Sequence, residues 1–316
     1  MSETVIQTRG LTKTFRDSVV AIKDLDLAVK RGAVYGLIGR NGSGKTTALR
    51  LLLGLLQPDC GTAQILGWNF WEAPRAVRQR VAYVSQTQRL PSGLALNELC
   101  RCLKRFNEKW DQGHAGQLAK LWNLPGNRPI GSLSTGEQCR AALLLAFAGR
   151  PEVLVLDEPA AGFDLVARRE LAGQILDAIS QSNGCTVLLS THIIGDLERM
   201  ADEIGIMHRG RLALASPLEA LLNQTKRVQL IFESEPPPHF AVPGALRTRR
   251  EGLVISAIVR WTNGSELDAL RASARARVQI FPMGLEEIFM ELFGNADPET
   301  SVQTDPAFYA TTHASV

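Results

Sequence analysis

Apolar residues along this chain gather into short continuous runs, with few alternating stretches between them. Ala33-Val34-Tyr35-Gly36-Leu37-Ile38, Val81-Ala82-Tyr83-Val84, Val153-Leu154-Val155-Leu156, Thr186-Val187-Leu188-Leu189 and Ile204-Gly205-Ile206-Met207 are mostly β-branched or aliphatic. A strand with one wet face alternates apolar and polar residues. One that is apolar at every position is covered on both faces, as in the parallel sheet of an α/β fold. Helical spacing lies between the runs. Residues 46–56 follow the first; Leu96, Leu99, Cys100, Leu103 and Phe106 share one helical face; residues 115–122 and 165–180 also read as helices. This order predicts βαβ units around a parallel sheet, carrying a helical insert at about residues 87–145.

The character changes after Leu222. Residues 227–232 and 252–259 read as strands, Pro236-Pro237-Pro238 as a stiff spacer, and residues 284–293 as an amphipathic helix. The expected organisation is a sheet domain over residues 1–225, a small α+β appendage over 226–294, and a flexible tail over 295–316 with few apolar residues. No internal repeat is found.

Composition narrows the function classes. Apolar residues make up 45% and charged residues 21%, which is globular rather than disordered. Thirty-five basic and 32 acidic side chains leave a net charge of +3, so no electrostatic case exists for nucleic acid or for a polybasic membrane anchor. The first ten residues are polar and lack the apolar core of a secretion signal. No apolar run approaches the ~20 residues that span a bilayer, so work at a membrane requires another chain to supply the span. The five cysteines are scattered without zinc-ligand spacing, and reduced thiols in a cytosolic protein are expected.

The chemistry concentrates after the first run. Gly39-Arg40-Asn41-Gly42-Ser43-Gly44-Lys45-Thr46-Thr47 satisfies G-x-x-x-x-G-K-[ST] between a strand and a helix. Glycines let successive backbone N–H groups converge on phosphate oxygens, and the helix N-terminus adds its partial positive charge. Lys45 is placed to reach the β- and γ-phosphates, and the Thr46 hydroxyl to ligate Mg²⁺. Asp157 and Glu158 follow the Val153 run. At the end of a buried strand, Asp157 is placed to hold Mg²⁺ and Glu158 to polarise an attacking water. Ser134-x-x-Glu137 is a capping-box pattern ahead of an apolar helix.

Leu133-Ser134-Thr135-Gly136-Glu137-Gln138 stands between the phosphate loop and the acidic strand. Together these motifs resemble the ATP-binding-cassette ATPases, whose signature is LSGGQ; Thr135 departs from its first glycine. Gln86 after the Val81 run, Ala161-Gly162-Phe163-Asp164 after Glu158, and Ser190-Thr191-His192 after the Thr186 run match in order. The resemblance covers residues 1 to about 222 and implies a P-loop NTPase fold with ATP and Mg²⁺ as cofactors. It implies that Ser134 and Gly136 bind the γ-phosphate held by the opposite subunit of a head-to-tail homodimer, and that His192 contacts that phosphate and positions water with Glu158. It further implies that Gln86 links Mg²⁺ to the helical insert, that Asp164 crosses the dimer interface, and that Phe15, flanked by Val20, stacks on adenine; an aromatic there could equally be core.

Two features resemble the ATPase subunits of bacterial ABC-2-type exporters: the short insert with Asn107-Glu108-Lys109-Trp110-Asp111, and Leu285-Glu286-Glu287-Ile288-Phe289 after a strand. That likeness implies a separate polytopic transmembrane permease and a cytoplasmic subunit resting on the inner face of the cell membrane. The appendage is expected to stabilise a dimer or to decorate, in preference to sensing a ligand. A non-transport ABC ATPase (repair, translation or cluster assembly) and an importer ATPase remain alternatives. A single cassette without coiled-coil or zinc insertions argues against the first, and the tail against the second.

Overall fold

The computed structural model describes residues 3–16, 19–87, 90–182, 184–195, 197–261, 265–273 and 276–294. It divides into two compact units, Met1–Ala213 and Leu214–Val316. This division precedes the boundary expected at residues 225 and 226, because the helix Leu218–Gln224 packs on the strand that follows it. The tail expected at 295–316 lies outside the described residues.

The first unit begins with a hairpin, β1 (Thr4–Phe15) and β2 (Val19–Lys30). There follow β3 (Val34–Ile38), α1 (Lys45–Leu52), β4 (Cys60–Ile65), β5 (Trp68–Asn69), α2 (Arg75–Arg78) and β6 (Val81–Val84). The insert holds α3 (Leu96–Phe106), α4 (Gln112–Leu121) and α5 (Thr135–Ala148). The chain then alternates through β7 (Val153–Asp157), α6 (Leu165–Ser180), β8 (Thr186–Thr191), β9 (Glu203–His208) and β10 (Arg211–Pro217), the last of which begins in the first unit and ends in the second.

Every run that reads as doubly buried is a strand of one sheet, in the order β10-β9-β3-β8-β7-β6. The pairs β9–β3, β3–β8, β8–β7 and β7–β6 are parallel. β3, β7 and β8 are buried at every position, as their unbroken hydrophobicity requires. A second, antiparallel sheet runs β2-β1-β4-β5. Between the sheets lies a core of Ile6, Leu11, Ile22 and Leu25 from the hairpin, Leu49 and Leu52 from α1, and Leu37, Val155 and Leu188 from the parallel strands. This packing clamps α1 from both sides and fixes the loop that precedes it. In the insert, α5 buries residues on all sides, from Cys139 through Ala148. Ser134 and Glu137 do form the reciprocal cap: the Glu137 N–H donates to Ser134 Oγ at 3.2 Å, and the Ser134 N–H donates to Glu137 Oε2 at 2.7 Å.

The second unit contains α7 (Leu218–Gln224), β11 (Thr225–Phe232), β12 (Ala245–Glu251), β13 (Val254–Arg260), α8 (Ser265–Ser273), β14 (Ala276–Pro282) and α9 (Leu285–Phe289). A π-helical turn, Met290–Gly294, continues α9. Its sheet is antiparallel in the order β12-β13-β11-β14, with an apolar core that includes Val228, Leu230, Ile255, Val259 and Leu270.

Candidate functional site

The loop between β3 and α1 is shaped by its glycines. Gly44 has φ +105°, a region L-residues avoid, and a Cβ there would lie 2.6 Å from the Ala21 carbonyl oxygen. A Cβ on Gly39 would lie 2.6 Å from the Met207 carbonyl oxygen. Both positions therefore require glycine for close backbone approach. Asn41 and Gly42 are exposed, Thr46 and Thr47 are half-buried, and Ser43 is buried with an Oγ that has no hydrogen-bond partner among the described residues. The Lys45 side chain folds back over the loop and donates from Nζ to the Gly39 carbonyl at 2.7 Å. An ammonium over a glycine loop at a helix N-terminus is a cradle for phosphate oxygens.

The acidic end of β7 meets this cradle. Thr46 Oγ1 donates to Asp157 Oδ1 at 3.1 Å, and Ser190 Oγ, from β8, donates to the same oxygen at 2.6 Å. Tyr83 from β6 reaches Asp157 Oδ2 at 3.5 Å. Burial, and after it the Asp157 charge, pushes the Tyr83 phenol up, so this hydroxyl stays protonated. Glu158 next turns into the left-handed region, with φ +47°. Its N–H donates to the Ser190 carbonyl at 3.0 Å and to Ser190 Oγ at 3.2 Å. That turn aims the Glu158 carboxylate back at the loop: Oε1 lies 3.2 Å from Lys45 Nζ, and Oε2 lies 2.7 Å from His192 Nδ1.

Lys45, Thr46, Asp157, Glu158 and His192 thus form one hydrogen-bonded group. Ser190 links Asp157 to Glu158, its Oγ donating to the Asp157 carboxylate and accepting from the Glu158 backbone N–H, a part that the sequence marks only as a neighbour of His192. The other expected residues stand apart from this group. Gln86 is exposed just after β6 and makes no hydrogen bond to Thr46 or Asp157. Ser134 bonds its own helix through Glu137, and Gly136 packs near Phe163. Asp164 caps α6, its Oδ1 accepting from the Val166 and Ala167 N–H groups, each at 2.9 Å. Phe15 is 44% exposed and Val20 48% exposed. An aromatic that wet is not core, and it presents a free face for stacking.

The family model described as ABC transporter matches residues 22–161. The Nod factor export ATP-binding protein I of Burkholderia lata is 31% identical over 299 residues, covering 92% of this chain and 97% of that protein. The chain belongs to the ABC transporter ATP-binding proteins. The ABC transporter ATP-binding protein YtrB of Bacillus subtilis is 28% identical over 290 residues, covering 92% of this chain and 98% of its own. A solved structure titled as the ATP binding subunit of an ABC transporter superposes with TM-score 0.61 at 26% identity, covering 69% of this chain and 92% of that one. The cluster around Lys45 accordingly belongs to a nucleotide-binding, ATP-hydrolysing cassette of an ABC transporter.

Among the described residues no group of three or more His, Cys, Asp or Glu side chains could hold a metal ion by itself. The donors that do converge, the Thr46 hydroxyl and the Asp157 carboxylate, are hard oxygens. They suit Mg²⁺, which takes one or two protein ligands and completes its shell from water and substrate phosphates. Among the described residues no helix is long and apolar enough to cross a membrane.

Proposed function

We propose that this ATPase powers export through a separate polytopic permease, working as a head-to-tail homodimer on the inner face of the membrane. The observation that carries the hydrolytic part is the continuous bonding from Thr46 through Asp157 and Ser190 to Glu158 and His192. Lys45 and the loop N–H groups hold the β- and γ-phosphates, with Asn41, Gly42, Ser43, Gly44 and Thr47 shaping the cradle. Thr46 and Asp157, with Gln86, hold Mg²⁺. When bound, Mg²⁺ would supply charge neutralisation at the phosphate oxygens. Phe15 and Val20 take the adenine. Glu158 accepts a proton from the attacking water, and His192 keeps that carboxylate and the water in line. Ser134 and Gly136 contribute from the second copy, and Asp164 lies near the seam between copies. Export is favoured over import by the Nod factor export protein, whose likeness extends over the C-terminal unit.

The test is affinity capture of the tagged chain from detergent-solubilised membranes, followed by reconstitution. A polytopic protein should co-purify and raise ATP turnover, and substrate should move away from the nucleotide side. Capture without any polytopic protein overturns the transport assignment, and movement toward the nucleotide side overturns export.

A further inference from the structure

The sheet of the C-terminal unit is apolar on one face only. Its other face carries a polar row that crosses three strands: Arg249 on β12 pairs with Ser256 on β13, which pairs with Gln229 on β11. A second row sets Arg247 against Ile258 and Arg227. These residues line a cavity of about 440 Å³, within the range of small-molecule sites.

A solvated sheet face would account for scattered polar residues. Two features go beyond that. The Gln229 and Ser256 side chains bond to no described residue, and Arg249 spends only its Nε, on Glu251 Oε1 at 2.9 Å. The row therefore offers a guanidinium fork, a hydroxyl and an amide N–H₂, all unspent, across two strand spacings of ~4.8 Å each. The second row shows what these groups bind, because it already holds an oxyanion from its own chain. Glu291 of the C-terminal turn lies at the cavity wall, its Oε1 2.9 Å from Arg227 and its Oε2 3.4 Å from Arg247. Arg227 also pairs with Glu287 at 2.7 Å.

We propose that this cavity binds a soluble, phosphate-bearing small molecule. Arg249, Ser256 and Gln229 take its oxygens, while Arg247 and Arg227 exchange the Glu291 carboxylate for them. Several donors approaching from separate strands fit a tetrahedral group with three or more oxygens better than one planar carboxylate. The appendage then senses a ligand, in contrast to the stabilising role expected from its sequence.

The test uses the full-length chain carrying Lys45→Ala, which weakens the competing phosphate loop, with pyrophosphate as probe in calorimetric titration. Saturable binding is expected. Arg249→Ala, at an exposed position that folding does not depend on, should weaken it about tenfold, as expected for a lost charged hydrogen bond. Glu291→Gln should tighten it severalfold by removing the anion that competes for Arg247 and Arg227, although Arg227 keeps Glu287 and Arg247 keeps the Glu291 backbone carbonyl. Absence of saturable binding, or affinity unchanged in both variants, overturns the proposal. Arg249-dependent binding to vesicles containing phosphatidic acid, without binding of pyrophosphate, overturns the soluble ligand.

Discussion

Glu158→Gln separates the two jobs that the proposed mechanism gives to one carboxylate. Glutamine keeps the volume and can still accept from Lys45, so the left-handed turn and the packing survive. It cannot take a proton from water. A positioned general base is worth about 10²–10⁴-fold, so the barrier to hydrolysis should rise by about 2.7–5.4 kcal/mol at 1.36 kcal/mol per decade. Binding should move the other way. Lys45 and Glu158 lie 3.2 Å apart with side chains 4% and 8% exposed, and an incoming phosphate must draw Lys45 away from that carboxylate. Glutamine replaces an ion pair by a hydrogen bond from a still-charged ammonium, so the competitor weakens within the range of about 1.5–3 kcal/mol for charged hydrogen bonds. Weakening the competitor therefore gains about 1 kcal/mol, or about fivefold in ATP affinity. Phosphate release at saturating MgATP measures the first effect, and titration with a fluorescent ATP analogue measures the second. Size exclusion with ATP should reveal a trapped dimer. Turnover within tenfold of the parent would show that Glu158 is not the base, and weaker ATP binding would refute the competition with Lys45.

Lys45→Ala should weaken ATP binding about tenfold to a hundredfold, the worth of a lost charge-assisted contact; full retained affinity in the same titration would contradict the phosphate-loop assignment. Ser190→Ala removes a 2.6 Å hydrogen bond to the buried Asp157 carboxylate, so urea unfolding should show a loss of about 1.5–3 kcal/mol, with turnover falling more than KM for ATP rises. Glu137→Gln should strengthen ATP-dependent dimerisation by removing an anion from the face that must meet a phosphate, with dimer fraction against ATP concentration as the readout. Glu152 is held down at about 2 by its bond to Arg80, reinforced by Lys109. A depressed folded-state pKa stabilises above the ordinary value of 4.5 and is lost as pH falls toward 2. Glu152→Gln should flatten the dependence of stability on pH across that window and leave its shape near neutrality unchanged.

The parallel sheet was legible because its doubly buried strands leave short, mostly β-branched apolar runs, whereas the longer unbroken run of α5 is a buried helix. The hairpin of β1 and β2 was not. Its register shifts between Thr8 and Leu11 and again before Lys13 and Thr14, and each bulge flips the alternation that would reveal a strand. β12 was hidden for another reason: Thr248, Arg249, Arg250 and Glu251 lie exposed along an edge strand, and edges are built from charges that read as loop. At the site, spacing along the chain named Lys45, Asp157 and Glu158, the family resemblance added His192, and neither showed the contacts between them. The ion pair of Lys45 with Glu158 and the bridge through Ser190 join residues far apart in sequence. They depend on β8 lying beside β7 in register, Asp157 against Ser190.

The signature helix shows how far one copy of the chain goes toward a complete site. A helix N-terminus attracts anions because its first N–H groups lack partners. Here Glu137 has already answered that demand: its carboxylate accepts from the Ser134 N–H at 2.7 Å and from the Ser134 hydroxyl at 2.8 Å. Those bonds hold the Glu137 carboxyl below its usual range, so it stays ionised. The family pattern LSGGQ carries a neutral glutamine at this place. In the proposed head-to-tail pair, a phosphate arriving from the second copy would therefore meet a negative charge and a hydroxyl that is already committed. It can be held only if the exposed Ser134 hydroxyl rotates toward it and the half-buried Glu137 swings out. In the isolated chain the cap stabilises the helix. In the proposed closed pair the same two side chains would give up that bond, so the strength of the cap would oppose closure and help set how readily the pair reopens.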